Sequence, residues 1–344
     1  MKYSFKNDYS EGCHPKILEA LSQTNLDQQI GYGLDEYCIS ATDKILKLCN
    51  SSISTVHFVS GGTQANLILI SAFLRPHESV ISATTGHIFT NETGAIEATG
   101  HKIHSVETDD GKLKQSHIQS VLDLHQNKPH QLKQKLVYIS NSTEIGTNYS
   151  KDELISLSNF CKEKKLYLML DGARLGHALT AENNDLTLAD IAKYTDAFYL
   201  GGTKNGALIG EAIIINNQDL QDEFGFHIKQ KGGMLAKGRL LGIQFDVLME
   251  NNLYFDLAKH ANFEAMKIKK VFSDNGFEFL SETFTNQIFP VLNQNQIDQL
   301  SESFDFYVWK KIDEEFSAIR LITSWATPEN VTDQFCEAIS GLKK

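Results

Sequence analysis

Short apolar runs alternate with longer stretches of helical period through the first two thirds of the chain. Six runs rich in β-branched and aromatic residues, without polar alternation, lie at 55–59, 79–82, 136–139, 166–170, 197–200 and 212–215. Strands of this composition are typical of a mostly parallel sheet that is buried on both faces. We therefore expect an α/β fold in which helices connect the strands by right-handed crossovers.

The stretches between these runs predict helices at 63–74, 151–164 and 185–194. Ser150 precedes the second of them and Glu153 follows three positions later, which is the spacing of a capping box. Beyond the last run, residues 235–253 predict one long helix, and the rest of the chain mixes helices with short strands. The organisation that we predict is a turn-rich N-terminal arm (1–39), a large cofactor-binding α/β domain (40–231), and a long linking helix with a small C-terminal α+β domain (232–344).

Composition narrows the class of protein. The 344 residues include 32 basic and 43 acidic side chains, for a formal net charge of −11, whereas binding to nucleic-acid phosphates requires a basic face. The five cysteines are scattered without a CxxC pair, so neither a disulfide framework nor a zinc site is indicated. The longest apolar stretch, 65–74, is far shorter than the roughly 20 residues that span a membrane. We expect a cytoplasmic enzyme that binds neither nucleic acid, membrane nor metal.

A candidate phosphate site follows the first strand of the predicted sheet. Gly61, Gly62 and Thr63 come between that strand and a helix. Glycines let the backbone approach an anion closely, and a helix start offers unpaired N–H groups with a partial positive charge. The alternative is a tight strand-to-helix turn without a ligand. A nucleotide-binding P-loop is absent from the sequence.

Two further signals follow other strands. Asp171 ends the run at 166–170, where it either caps a helix or faces a protonated heterocyclic nitrogen. Lys204 lies in a glycine-rich loop after 197–200, where it is either a solvated surface residue or a nucleophilic amine. A phosphate site, an acid and a lysine in this chain order meet the requirements of pyridoxal 5'-phosphate, which we predict as the cofactor.

Together with further motifs, these residues carry a family resemblance over nearly the whole chain. The motifs are Tyr32-Gly33-Leu34-Asp35, residues 61–66, 86–88 with 92–95, 171–174, 203–204, 229–234 and 320–323. In this order, they resemble the fold-type I pyridoxal-phosphate enzymes, and within them the threonine aldolase and β-eliminating lyase family. The resemblance implies the fold-type I transferase-like large domain.

The resemblance also implies roles for individual residues. It assigns Gly61, Gly62 and Thr63 to the cofactor phosphate. Asp171 is assigned to the pyridine nitrogen, Arg174 to the phenolic oxygen and His87 to the ring face. Lys204 is assigned to a Schiff base with the cofactor. Arg320 takes the substrate carboxylate, assisted by Lys229, and His130 lies near the β-hydroxyl group. His87 or His130, directly or through water, is the expected catalytic base, and Glu92 orients the His87 region.

Two segments depart from the family pattern. Lys6-Asn7-Asp8 replaces the usual Arg-Ser-Asp, so Asn7 takes the place of a serine that touches the substrate carboxylate. Residues 141–144 read Asn-Ser-Thr-Glu where the family often has Thr-His-Asn. Both segments are expected to line the substrate pocket.

The resulting functional hypothesis is a lyase that cleaves the Cα–Cβ bond of a β-hydroxy-α-amino acid, threonine or allo-threonine, to glycine and an aldehyde. A β-eliminating lyase acting on an aromatic or sulfur amino acid, an aminotransferase and a non-catalytic anion-binding protein remain alternatives. We expect a homodimer or homotetramer in which Tyr32 and the Lys229 region reach the site of a neighbouring subunit.

Overall fold

The computed structural model describes residues 2–342. Its strands are β1 (Tyr3–Ser4), β2 (Thr55–Val59), β3 (Glu78–Ala83), β4 (Ile103–Val106), β5 (Lys133–Ser140), β6 (Tyr167–Asp171), β7 (Ala197–Gly201), β8 (Glu211–Ile215), β9 (Gln287–Ile288), β10 (Val291–Asn293), β11 (Phe304–Asp305), β12 (Tyr307–Lys311) and β13 (Phe316–Ile322).

The α-helices are α1 (Pro15–Gln23), α2 (Glu36–Cys49), α3 (Gly62–Phe73), α4 (His87–Thr90), α5 (Gln115–Leu124), α6 (Lys151–Lys164), α7 (Leu175–Leu179), α8 (Leu188–Tyr194), α9 (Phe224–Gln230), α10 (Arg239–Leu248), α11 (Leu253–Asp274), α12 (Gln294–Ser301) and α13 (Glu329–Ser340). Single turns of 3-10 helix lie at Glu97–Thr99, Gln218–Leu220 and Glu250–Asn252.

A seven-stranded sheet in the order β2-β8-β7-β6-β5-β3-β4 forms the centre of the fold. The neighbours from β7 to β4 pair in parallel, and β8 runs antiparallel to both β7 and β2. Every residue of β3, β7 and β8 is buried. This confirms the predicted α/β class and the mostly parallel sheet covered on both faces.

Two apolar cores cover the faces of this sheet. Because successive side chains of a strand point to opposite faces, Phe198 of β7 packs in one core and Tyr199 packs in the other. Helix α6 covers the first face and begins at the predicted capping box. Ser150 accepts a hydrogen bond from the Glu153 N–H, and the Glu153 carboxylate accepts one from the Ser150 N–H.

A third core belongs to the C-terminal part of the chain. It contains Phe272, Phe335 and Ile319 around the small sheet β10-β13-β12, and it also includes Phe5 from the N-terminus. Strand β1 reaches it by pairing in parallel with β11. The start of the arm therefore packs on the C-terminal unit, and the boundaries at residues 39 and 231 stay predictions.

The prediction of one helix over 235–253 was wrong. Helix α10 ends at Leu248, and Asn251 and Asn252 have φ values of 49° and 66° before α11 begins. Asparagine adopts this left-handed conformation more readily than most residues, so the pair allows the chain to turn between two apolar helices. The arm, predicted to be turn-rich, contains helix α1, whose first residue is Pro15, a favoured position for proline.

All five cysteines carry free thiols. Within residues 2–342, no helix is long and apolar enough to cross a bilayer.

Candidate active site

A cavity of about 330 Å³ opens at the carboxyl ends of β5, β6 and β7, beside the start of α3. This is where ligands bind in open α/β sheets. The structure brings most of the residues that the sequence singled out for the cofactor to its wall. These residues are Gly61, Gly62, Thr63, His87, Asp171, Arg174 and Lys204.

The start of α3 provides open hydrogen-bond donors. The first backbone bond of the helix runs from the Ala65 N–H to the Gly61 carbonyl at 3.0 Å. Within the described chain, the N–H groups of Gly62, Thr63 and Gln64 have no partner. A Cβ atom at Gly62 would lie 3.1 Å from the Tyr199 hydroxyl, so a side chain there would narrow the site. These donors, with the positive end of the helix dipole, suit an anion.

Asp171 is a buried carboxylate that is kept ionised. It accepts hydrogen bonds from the Tyr138 hydroxyl, from the Asn66 side-chain amide at 3.2 Å and from the Ala173 N–H at 3.0 Å. Burial opposes ionisation, but the charge of His87 and hydrogen bonds from Tyr138 and other donors lower the pKa of Asp171. Such a carboxylate can stabilise a positive charge within the cavity.

Lys204 follows β7 in a loop that is fixed on both sides of it. Thr203 N–H donates to the Gly210 carbonyl at 3.1 Å, and the Asn205 side chain donates to the Tyr254 carbonyl at 2.7 Å. The Lys204 amine has no hydrogen-bond partner within residues 2–342 and lines the cavity. Burial and the nearby charge of Arg174 lower the pKa of Lys204, which favours the nucleophilic neutral amine.

Glu211 is a second buried carboxylate in this wall, and the sequence analysis missed it. Its Oε2 atom accepts from the Gly202 N–H at 3.1 Å. Burial raises the pKa of Glu211 to about 8, although the positive charge of Lys204 opposes that rise. No motif marks this residue, and only its position at the start of the last apolar run, opposite the lysine loop, could have pointed to it.

An ion pair joins the arm to the cavity wall. Arg174 donates from Nε to Asp8 Oδ2 at 2.7 Å and from Nη2 to Oδ1 at 3.0 Å, while Nη1 has no partner in the described chain. Asp8 also accepts from the Asn286 side chain, which precedes β9, at 2.9 Å. Burial opposes ionisation of Asp8, but Arg174 and Lys204 lower its pKa to about 2. Three distant segments of the chain thus meet at one carboxylate.

His87 begins α4, directly after the strand β3 and its turn. Its Nδ1 atom lies 2.9 Å from Glu92 Oε1, as expected for a glutamate that orients this region. Burial favours the neutral ring, but the hydrogen bond to Glu92 and the charge of Asp171 outweigh it and raise the pKa of His87.

Glu144 lies in the segment that departs from the family pattern. Its Oε1 atom accepts from the Ser140 hydroxyl at 2.7 Å and from the His87 N–H at 2.9 Å. Burial, followed by the charge of Asp171, raises the pKa of Glu144. The segment is predicted to line the substrate pocket, but Glu144 itself was not singled out, although its place just after a predicted strand end was a usable signal.

Arg320 and Asn7 are outside the cavity wall. Arg320 of β13 lies over the Trp309 ring at 4.3 Å, and its Nε atom is buried without a partner in residues 2–342. Burial, together with the like charge of Arg174, lowers the pKa of Arg320 to about 10. The Asn7 side chain accepts from the Tyr9 N–H at 3.0 Å and the Ser10 hydroxyl at 2.9 Å, and so shapes the arm.

The other three predicted residues are not brought to this cavity within one chain. The Lys229 amine lies 4.6 Å from the centre of the Tyr32 ring, and the two form a separate pair. His130 is exposed in the loop that leads into β5. That loop is at the amino end of the strand, whereas the cavity is at the carboxyl ends, so His130 is placed away from it. Within residues 2–342, no cluster of three or more acidic, histidine or cysteine residues is arranged to bind a metal.

Comparison with known proteins identifies the class and then the family. Thermus thermophilus aspartate aminotransferase shares the fold at 14% identity and a TM-score of 0.73, over 98% of this chain and 91% of that one. At that identity the likeness concerns the fold alone, and it confirms the fold-type I architecture. The Leishmania major threonine aldolase structure matches with 48% identity and a TM-score of 0.96, over 98% of both chains.

The sequence comparisons agree. The β-eliminating lyase family profile matches residues 7–295. A Pseudomonas aeruginosa low specificity L-threonine aldolase is 31% identical over 94% of this chain and 93% of that protein. The chain belongs to the β-eliminating lyase family.

Replacing Asp8 with asparagine should destabilise the protein, because Arg174 would keep a buried charge without its counter-ion. We expect the free energy of unfolding to fall by roughly 3–5 kcal/mol in urea denaturation at neutral pH. Since Asp8 has a pKa near 2, below its ordinary value of 3.8, its stabilising charge is present above pH 4 and is lost as the pH falls toward 2. The difference in free energy of unfolding between the wild type and Asp8→Asn should therefore shrink below pH 4.

Asp305→Asn is the control for this prediction. Asp305 pairs with Lys6 at 3.4 Å where both side chains are accessible to solvent, so the change should be less than about 1 kcal/mol. Equal losses of unfolding free energy in Asp8→Asn and Asp305→Asn would contradict a stabilising role for the pair of Asp8 with Arg174.

Proposed function

We propose that this protein is a pyridoxal-phosphate-dependent lyase that cleaves the Cα–Cβ bond of threonine or allo-threonine to glycine and an aldehyde. The observation that carries the proposal is one cavity lined by open backbone donors, an ionised buried carboxylate and an unpaired lysine amine. The threonine aldolases among the family relatives support the reaction type.

The residues of the cavity fit the cofactor in their chemistry. The free N–H groups of Gly62 and Thr63, with Gly61 before them, suit its phosphate. Asp171 suits a protonated ring nitrogen, and the free Nη1 of Arg174 suits the phenolic oxygen. Lys204 would bond to the aldehyde, and the ring of His87 would lie against the cofactor ring. The bound cofactor would supply an electron sink for the carbanion that bond cleavage leaves at Cα.

Arg320 would bind the substrate carboxylate. A guanidinium forms two parallel hydrogen bonds with a carboxylate, and the Arg320 guanidinium pairs with no carboxylate within residues 2–342. Packing on Trp309 fixes the plane of the fork, and Asn7 lies on the arm beside it, since Lys6 O accepts from Arg320 at 3.4 Å. Lys204, with its lowered pKa, can exchange a proton at the substrate Cα.

A dimer or tetramer would complete the site. Tyr32 and Lys229 pair away from this chain's cavity, and strongly exposed apolar side chains accompany them: Leu26 is 91% exposed and Phe226 is 76% exposed. Apolar side chains exposed in this way suit an interface. We propose that the pair serves a neighbouring subunit. The free cysteines fit a reducing compartment such as the cytoplasm.

The purified protein supplied with pyridoxal phosphate should release glycine and acetaldehyde from L-threonine or L-allo-threonine. Lys204→Ala should lose this activity and the visible absorbance of lysine-bound cofactor, because the amine that bonds to the aldehyde is gone. Chromatographic analysis of the products shows which reaction the protein catalyses. Pyruvate with ammonia would indicate β-elimination instead, and conversion of the cofactor to its amine form would indicate an aminotransferase.

Arg320→Lys should weaken substrate binding, because an ammonium group cannot form the two-point contact with a carboxylate. We expect KM for threonine to rise by roughly 10- to 100-fold, as one charge-assisted hydrogen bond contributes about 1.5–3 kcal/mol. Steady-state kinetics measures this, with Arg75→Lys on the exposed turn before β3 as the matched control. An unchanged KM in Arg320→Lys would remove the residue from the substrate site.

Mixed oligomers test the shared site. Lys204→Ala and Lys229→Ala should each have low activity alone, while subunit exchange between them should restore about one quarter of the wild-type rate if the active unit is a symmetric dimer. The gain arises because one site of each hybrid has both native lysines. Lys231→Ala is the control partner for Lys229→Ala and should be active without mixing. Absence of any gain on mixing would place Lys229 outside the neighbour's site.

A further inference from the structure

Glu144 is a half-buried carboxyl group in the cavity wall that no role described so far requires. It follows β5 in residues 141–144, where this chain differs from the run that is common in the family. It lines the same cavity as His87, Asp171 and Lys204. Removing a carboxylate from water destabilises the protein unless nearby groups stabilise its charge. The contacts of Glu144 therefore indicate whether both of its oxygens are held by such groups or one is left for chemistry.

The two oxygens of Glu144 have different surroundings. Oε1 is held by two donors, the Ser140 hydroxyl at 2.7 Å and the His87 N–H at 2.9 Å. Oε2 accepts no hydrogen bond from any other described residue, and it is absent from the enclosed, unpartnered atoms of the fold. The carboxylate is therefore fixed through one oxygen, while the other is accessible from the cavity.

The two histidines expected as catalytic bases are less suited to accept a proton from the substrate. His130 is exposed at the other end of the sheet. In His87, Nδ1 is engaged by Glu92 at 2.9 Å, and the raised pKa makes the ring retain its proton more often. For a carboxyl group, a raised pKa has a different consequence, because its ionised form accepts a proton more readily. Glu144 is therefore a stronger base than an ordinary glutamate.

We propose that Glu144 is the catalytic base that accepts the proton of the substrate β-hydroxyl group at its Oε2 atom. This inference rests on the proposed lyase function. His87 acts on Glu144 through its backbone N–H, and Ser140 holds the same oxygen from the strand end. Both donors fix the orientation of the carboxylate through Oε1 and leave Oε2 without a bond to either of them.

The electron and proton balance of this step is complete. The O–H bond of the substrate breaks, and its electron pair becomes the second C–O bond of the aldehyde while the proton moves to Glu144. The Cα–Cβ bond breaks, and its electron pair remains with Cα. A proton then bonds to Cα to give glycine, and Glu144 returns its proton to solvent, so that no oxidant or reductant is consumed.

Glu144→Gln isolates this role, because the glutamine carbonyl oxygen can still accept from Ser140 and from the His87 N–H. We expect kcat for threonine cleavage to fall by about 10²- to 10⁴-fold, the usual contribution of a positioned base, with KM within a few-fold of wild type. The visible absorbance of bound cofactor and the affinity for pyridoxal phosphate should be unchanged. Exchange of the glycine α-proton in D₂O, followed by NMR, should also persist, since glycine has no β-hydroxyl group.

Controls separate the possible failures. Glu97→Gln, at an exposed position, should match wild type in every measurement. Glu144→Asp retains a carboxylate and should cleave threonine faster than Glu144→Gln, which provides a second test if the glutamine variant does not fold. A wild-type protein that releases no glycine from threonine would refute the proposed function itself.

Two outcomes with an active wild type would overturn the inference alone. In one, Glu144→Gln cleaves threonine at close to the wild-type rate. In the other, it loses glycine α-proton exchange and cofactor absorbance together with cleavage, which would show that Glu144 supports the fold of the site rather than the proton transfer.

Discussion

Charge balance in a buried cavity is the constraint on which the rest of this structure depends. Several ionisable groups share the space at the strand ends, and an isolated buried charge would destabilise the fold by several kcal/mol. The pair of Asp8 with Arg174 neutralises one cation there, while Asp171 is held by hydroxyl and amide donors. Lys204 is thereby left as the amine without a direct partner in the described chain, which is the state that the proposed bond to the cofactor requires.

Local sequence signals predicted six of the seven strands of the central sheet and missed β4. The run at 197–200 became β7, and Ser150 with Glu153 marked the first turn of α6, because a buried strand and a helix cap are each determined by neighbouring residues. The break at Asn251 was missed because the apolar pattern continues across it, while the backbone conformation of two asparagines ends the helix. Hydrophobic period alone does not contain that information.

The candidate site was predictable where chain order carried the signal. The glycine pair before α3, Asp171 and Lys204 each follow a strand, so the carboxyl edge of the sheet gathers them. The partner of Arg174 was not predictable, because Asp8 is more than 160 residues away in sequence. Glu144 and Glu211 were missed because a single carboxylate belongs to no motif, and only the packing shows that Glu211 is buried and that Glu144 lines the cavity.

The parallel pairing of β1 with β11 has a practical consequence for work with this protein. The first residues are a structural strand of the C-terminal unit, and the carboxylate that faces Arg174 comes only a few residues later. Trimming the N-terminus to simplify purification would thus remove an edge strand and a counter-ion at once. The resulting inactive protein could easily be misread as evidence against the catalytic residues.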